Sequence, residues 1–359
     1  MRPSQQPFKK CLLLQANLRF LPALCLGLLT GVSSTNAADS VEQFYRGKKI
    51  NLVIGSSVGG GYDLYARLIG KHFSKHMPGS PTVVISNMAG AGSNVAAAFL
   101  AVTAPKDGTY IAALYMGAVV EPLFYGKKRS THDPAEFNYI GNANTDHDIC
   151  AVSNKAPIAA MSDTLKKELV IGASAPGGAT YDFPAFEKEL LGAKLKIVSG
   201  YPGSREVGLA LDNGEVQGIC GQSWGGVAAQ YEPLIKSGAV RILAQESNTG
   251  HPYLNAMKIP LMKELASNDF QRKVLEVFYA QTSFSRPYAV AKEVPPERVA
   301  ALRKAFMDTM KDPDFIKDAQ QAQLDIEATS GDELQAKLKE LYATPDDIVK
   351  AIRKVYAKD

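Results

Sequence analysis

Lys49-Ile-Asn-Leu-Val-Ile-Gly-Ser-Ser-Val-Gly-Gly-Gly-Tyr-Asp63 is the stretch that decides the fold. Its first six residues form a short apolar strand, and Gly55 to Gly61 form a glycine-rich turn. Tyr62, Tyr65, Ala66, Ile69 and Phe73 then recur at helical spacing until Pro78-Gly79 stops the helix. The pattern repeats at once. Residues 81–85 read as a second strand, Asn87-Met-Ala-Gly-Ala-Gly-Ser-Asn94 as a second glycine-rich turn, and residues 95–104 as a second helix. After the Asp107-Gly108 turn, residues 109–116 read as a third strand. Strands alternating with helices imply a parallel sheet covered by helices on its faces.

The middle of the chain continues in the same way. Residues 149–152, 168–172, 194–198, 215–220 and 239–245 read as strands. Ser174-Ala-Pro-Gly-Gly-Ala-Thr180 is a third glycine-rich turn that opens a helix, and Gly200-Tyr-Pro-Gly-Ser204 opens another. The last third is mostly helical, with starts at Pro295-Pro296-Glu297 and Asp312-Pro313. The fold class is therefore α/β, and 359 residues suggest two domains.

Residues 1–37 carry four basic residues and no acid, followed by an apolar run over 20–32 and a small-residue stretch ending at Ala37-Ala38. This is the pattern of a secretory signal peptide cut near Ala37, and it places the mature chain in an extracytoplasmic compartment. Removing it leaves 36 basic and 36 acidic residues. A neutral chain lacks the electrostatic footprint of a nucleic-acid binder. Two cysteines remain, Cys150 and Cys220, both at the ends of strand-like runs. They can pair in an oxidising compartment or stay as buried thiols. No clustered metal ligands are apparent, and no cofactor is expected.

The chemistry rests on the three glycine-rich strand-to-helix turns. Each offers free backbone N–H groups at a helix N-terminus, where the dipole favours an anion. In open α/β sheets ligands bind beyond the carboxyl ends of the strands, where these turns lie. None carries a dinucleotide or P-loop spacing.

Gly59-Gly60-Gly61-Tyr62-Asp63 after a strand resembles the corresponding segment of the Bug/TctC family, the periplasmic solute-binding proteins of tripartite tricarboxylate transporters. Further matches follow in order: Asn87 with Gly90-Ala91-Gly92, Ala104-Pro-Lys-Asp-Gly108, Tyr201-Pro-Gly203, Asn213-Gly-Glu-Val216, residues 236–244 and residues 285–296. The resemblance implies a two-domain, type II "Venus flytrap" binding protein in which each domain is a mainly parallel sheet flanked by helices. Domain 1 would comprise residues 44–143 and 241–359, and domain 2 residues 144–240. The ligand would be a small organic acid, the partners the membrane subunits of the transporter, and the receptor a non-enzymatic monomer in the periplasm. Carried over by position, the first loop supplies Ser56, Ser57, Val58, Gly59, Gly60, Gly61 and Asp63, and the second Asn87, Gly90, Ala91 and Gly92. Domain 2 supplies Ser174, Gly177, Gly178, Thr180 and Tyr201. The chain has Ser56-Ser57-Val58 where the family usually has prolines, and Met88-Ala89 where a basic residue and proline are common. The missing cation argues against a highly charged ligand such as citrate.

Several side chains admit two readings each. Asp63 either stabilises the first helical turn or faces a ligand amino group. Trp224, the sole tryptophan, either walls the ligand site, suiting an aromatic or apolar tail, or packs in the core. His147 is either a ligand contact or a plain hinge-loop residue. His72 and His76 share a helix face that reads as solvated rather than metal-binding. Gly221-Gln-Ser-Trp-Gly225 is a literal G-x-S-x-G, so a secreted serine hydrolase using Ser223, with Glu232 or Glu246 and His251, is the alternative from another class. A third possibility is a flytrap that reports to a membrane receptor instead of a transporter.

Overall fold

The computed structural model describes residues 37–359 except Gly60, 127–131, 175–177, Pro202 and 357–359. The expected signal segment before Ala37, and the expected site residues Gly60 and Gly177, lie outside the described residues.

Eleven strands form two sheets among the described residues. In chain order they are β1 (Lys49–Ile54), β2 (Thr82–Asn87), β3 (Tyr110–Ala113), β4 (Asn138–Asn142), β5 (Asp148–Ser153), β6 (Leu169–Gly172), β7 (Leu195–Val198), β8 (Gly218–Ser223), β9 (Val240–Glu246), β10 (Pro287–Val290) and β11 (Thr329–Ser330). The first sheet runs β11-β4-β10-β3-β1-β2 and the second β7-β6-β8-β5-β9. Both are mixed. In the first, β1 pairs in parallel with β2 and β3, while β10 runs antiparallel to β3 and β4. In the second, β6 pairs in parallel with β7 and β8, while β5 runs antiparallel to β8 and β9. β9 belongs to the second sheet, so the second lobe extends past the boundary expected at residue 240.

The helices used below are α1 (Ala37–Tyr45), α2 (Gly61–Phe73), α3 (Asn94–Ala98), α4 (Met116–Phe124), α5 (Ala179–Leu191), α6 (Ser204–Asp212), α7 (Trp224–Lys236), α8 (Pro252–Ala256), α9 (Asp269–Tyr279), α10 (Pro296–Met310), α11 (Pro313–Gln321), α12 (Gly331–Tyr342) and α13 (Asp346–Tyr356). Periodicity explains how they pack. Tyr65, Ala66, Ile69 and Phe73 lie on one buried face of α2, against Ile50, Leu52 and Ile111 of the sheet and Phe306 of α10. The opposite face of the same sheet, with Val53 and Ala112, packs on α3 and α4.

That second core does not end at the lobe boundary. It continues through Phe278 of α9 and the C-terminal helix α13 to Phe183, Phe186 and Leu195 of the second lobe. Phe186 and Phe278 stack at 3.9 Å with their planes 3° apart. Tyr356 of α13 lies near Phe124 of one lobe and Phe186 of the other, at 6.5 and 5.9 Å. An aromatic seam therefore joins the lobes behind the hinge, its stacked and tilted rings giving a specific geometry as well as buried area.

His72 and His76 depart from expectation. His72 near the end of α2 and His76 in the turn that follows it both face α11, and only 7% of His72 is exposed. His72 Nε2 lies 2.8 Å from Asp318 and His76 Nε2 lies 2.9 Å from Asp312. Acids from a helix about 240 residues away convert the expected solvated face into an interface.

Candidate functional site

The chain crosses between sheets from the end of β4 at Asn142 to the start of β5 at Asp148. β4 is parallel to β1, β2 and β3, so the carboxyl ends of all four strands share one edge. Asp148 pairs with Ser223 at the end of β8 and with Glu246 at the end of β9. The carboxyl ends of the parallel strands in both sheets thus converge on the crossover 143–147, the place where open α/β sheets bind ligands.

The first two loops are bolted together beneath their crests. Asp63 is 1% exposed and accepts hydrogen bonds from Gly59 N, Arg67 Nε and Asn87 Nδ2, at 2.9, 2.9 and 2.8 Å. The Arg67 bond, followed by those from Asn87 and Gly59, overcomes burial and holds its carboxyl down to about 2. Asn87 also donates to Ser56 O and accepts from Arg67 Nη2. The side chains of Asp63 and Asn87 are therefore engaged in shaping the loops. Ser56 is buried, with its hydroxyl 3.2 Å from Ser57 O, while Ser57, Val58 and Gly59 form an exposed crest.

In the second loop, Gly90, Ala91, Gly92 and Ser93 all have positive φ. Glycine takes this conformation freely, whereas Ala91 and Ser93 adopt it under constraint. Ser93 supplies that constraint by donating to Gly55 O at 2.9 Å and accepting from Tyr115 N at 3.1 Å. A side chain on Gly55 would strike Ser93 Oγ, so the close approach of the loops requires glycine there. Ala91 and Gly92 form the second exposed crest.

From the second lobe, Gly178 caps α5, and the hydroxyls of Ser174 and Thr180 lie 2.8 Å apart. The Tyr201 hydroxyl lies 3.4 Å from Glu215. Trp224 begins α7 and stacks on Tyr253 at 5.6 Å.

A cavity of about 400 Å3 opens between the lobes beside the first loop. Of the expected binding residues, Gly61 and Trp224 line it, the indole forming one wall of this cavity. The other walls come mainly from residues that sequence reasoning did not place in a site, among them Tyr65, Asp146, Arg286 and Asp325, from Ser223 and His251 of the alternative hydrolase reading, and from His147, one of the residues with two readings. Arg286 is 12% exposed and donates from Nη1 to Asp146 at 2.9 Å and to Ser285 O at 2.7 Å. Its guanidinium lies 4.2 Å from the Tyr62 ring centre and 5.0 Å from that of Tyr65. Burial pushes the Tyr62 hydroxyl up to about 12 despite this nearby cation. The one available signal for Arg286 was a lone cation at the entry to an apolar strand. His147 Nε2 lies 3.0 Å from Glu327. A larger recess of about 670 Å3, lined by Pro122, Tyr342 and Arg353, lies away from the strand ends.

Beneath the crossover sit three buried carboxyls, Asp148, Glu187 and Glu246. Tyr279 donates to Glu187 and Gly221 N donates to Glu246, each at 2.6 Å. Burial raises all three, Glu187 to about 8. Cys150 and Cys220 form a disulfide between β5 and β8. Glu246 lies beside their sulfurs, but the bonded cysteines offer no thiolate to a metal.

The nucleophile elbow does not assemble. Ser223 has unstrained backbone angles and makes no hydrogen bond to a histidine among the described residues. Glu246 points to Gly221 rather than to His251.

Two mixed sheets flanked by helices, joined at a crossover with a cleft between them, define the two-domain periplasmic binding protein fold. The profile described as the tripartite tricarboxylate transporter family receptor, TctC, matches residues 66–353, and the chain belongs to that family of solute-binding proteins. Similar solved structures include a TctC solute-binding protein from Polaromonas without ligand, 20% identical with a TM-score of 0.66, covering 86% of this chain and 99% of its own. An R. palustris protein with adipate is 20% identical with a TM-score of 0.60, covering 85% of this chain and 97% of its own. MatC from Rhodopseudomonas palustris with bound malate is 18% identical with a TM-score of 0.60, covering 84% and 99%. Among curated proteins, none matches.

Proposed function

We propose that the chain is a periplasmic receptor that captures a small organic acid between its lobes and delivers it to the membrane subunits of a tripartite transporter. The observation that carries this reading is the convergence of both sheets' strand ends on a cavity of about 400 Å3 lined by a part-buried arginine, in a chain of the TctC family. The relatives with adipate and malate support an acid as cargo. The crests Ser57–Gly59 and Ala91–Gly92 follow the carboxyl ends of β1 and β2, and Ser174, Gly178 and Thr180 follow that of β6, so we assign them to opposing lips of the cleft. Closure about the 143–147 crossover brings the lips together. The receptor works as a monomer without catalysis, and the basic-then-apolar leader directs its export.

The test is a thermal-shift and calorimetric screen of the mature chain from Ala38, stripped of ligand by unfolding and refolding. The panel holds mono-, di- and tricarboxylates and amino acids. A ligand at 100 times its Kd adds about 2.7 kcal/mol of stability. Failure of every acid to raise the melting temperature, with no small molecule released when the purified protein is denatured, overturns the reading.

A further inference from the structure

We infer that the cleft is built for a zwitterion, with one carboxylate held at Arg286 and one cationic nitrogen facing Asp325 and Glu327, rather than for a di- or tricarboxylate. This deepens the binding reading above and rests on it.

The argument begins with the guanidinium. Both recorded side-chain hydrogen bonds of Arg286 leave from Nη1. Nε is buried and has no partner. Nη2 is the Arg286 atom nearest a side chain built on Gly61, which lines the same cavity. The Nε–Nη2 edge is the one that binds a carboxylate through two parallel hydrogen bonds. A buried donor without a partner is costly, and a bound carboxylate would relieve that cost. Tyr62 and Tyr65 hold the guanidinium plane through their ring faces.

The charge balance then limits the ligand. Arg286 is the sole arginine or lysine among the described residues lining the cavity, whereas Asp146, Asp325 and Glu327 all line it. Asp146 already offsets Arg286. A second ligand carboxylate would meet no fixed cation and would face two acids, and like charges in a partly desolvated cleft repel.

The opposite end suits a cation. Tyr65 spans the two ends, with its ring against Arg286 and its hydroxyl donating to Asp325 O at 2.7 Å. Burial and the neighbouring His147 lower His251, which keeps that imidazole neutral beside an incoming cation. Trp224 adds an aromatic wall that suits an apolar body or a cationic nitrogen.

The experiment pairs each common α-amino acid with its deaminated acid, adds malate and citrate, and measures binding to the full mature chain by titration calorimetry. Arg286→Gln and Asp325→Asn are measured alongside, with melting curves to confirm folding. The expected result is that at least one amino acid binds about tenfold or more tightly than its deaminated partner. Arg286→Gln abolishes that binding, and Asp325→Asn removes the preference for the amino acid. Equal binding of the deaminated acid overturns the cationic end. Tight binding of malate or citrate that survives Arg286→Gln overturns the whole inference but leaves the receptor reading intact. Binding of no acid at all overturns the receptor reading itself. If Arg286→Gln does not fold, Asp325→Asn and the paired ligands still decide the matter.

Discussion

Glu187→Gln offers a direct test of the buried carboxyl cluster, because it preserves shape and the hydrogen bond from Tyr279 while removing a titrating group. In the unfolded chain this carboxyl releases its proton near 4.5, and in the folded protein near 8. Below 4.5 both states are protonated and its contribution to stability is fully present. As pH rises toward 8, the folded state retains a proton that the unfolded state has lost. Stability therefore falls by up to about 1.4 kcal/mol per pH unit, or about 5 kcal/mol across the window. Glu246 and Asp148 are raised as well and add to the slope. In the variant the decline is shallower by up to one proton's worth. Urea unfolding at a series of pH values from about 4 to about 9, with unchanged m-values, measures it. Parallel curves for the two proteins would refute the assignment of a protonated, buried Glu187.

Asp63 works in the opposite sense. Its folded carboxyl is held near 2, so its contribution is present above the ordinary 3.8 and is lost as pH falls through about 2. Asp63→Ala removes three hydrogen bonds to a buried carboxylate and is expected to cost about 2–4 kcal/mol; an unchanged urea midpoint would contradict the bolting of the first two loops. Removing the Cys150–Cys220 disulfide, which closes a sequence separation of 70 residues, is expected to cost about 2–4 kcal/mol, read as a lower urea midpoint in the double alanine variant. Ser223→Ala should lose no ester hydrolysis, because Ser223 makes no hydrogen bond to a histidine among the described residues. A fluorophosphonate probe that labels the parent and not this variant would restore the hydrolase reading.

The β1–α2 unit was legible because its signals are local: an apolar run, a glycine turn and a helical stripe within 25 residues. β8 starts at Gly218, not at Glu215, because Glu215 and Val216 complete a turn with Asn213 and Gly214, their amides donating to Ala210 O. β4 was not legible. Asn-Tyr-Ile-Gly-Asn carries two apolar side chains in five residues, and only pairing with β10 and β11 makes it a buried strand. The loops of the site were located by their glycines, yet the roles of Asp63 and Asn87 depended on Arg67 and on each other. Arg286 was invisible as a site residue because Asp146, Tyr62 and Tyr65 lie 140 or more residues away in sequence. Local pattern thus positions the backbone of a cleft, whereas the charges that select its contents come from distant segments that only the fold brings together.

The aromatic seam also bears on how such a protein is made. Tyr356 touches rings from both lobes and comes after every other described element in the chain. The first lobe likewise waits for β10, β11 and α10 to complete its sheet and cover it. Neither lobe can therefore finish its core during early synthesis, when domains otherwise tend to fold in order from the N-terminus. A nascent chain kept incomplete in this way has its stable shape deferred until the residues that seal it have arrived.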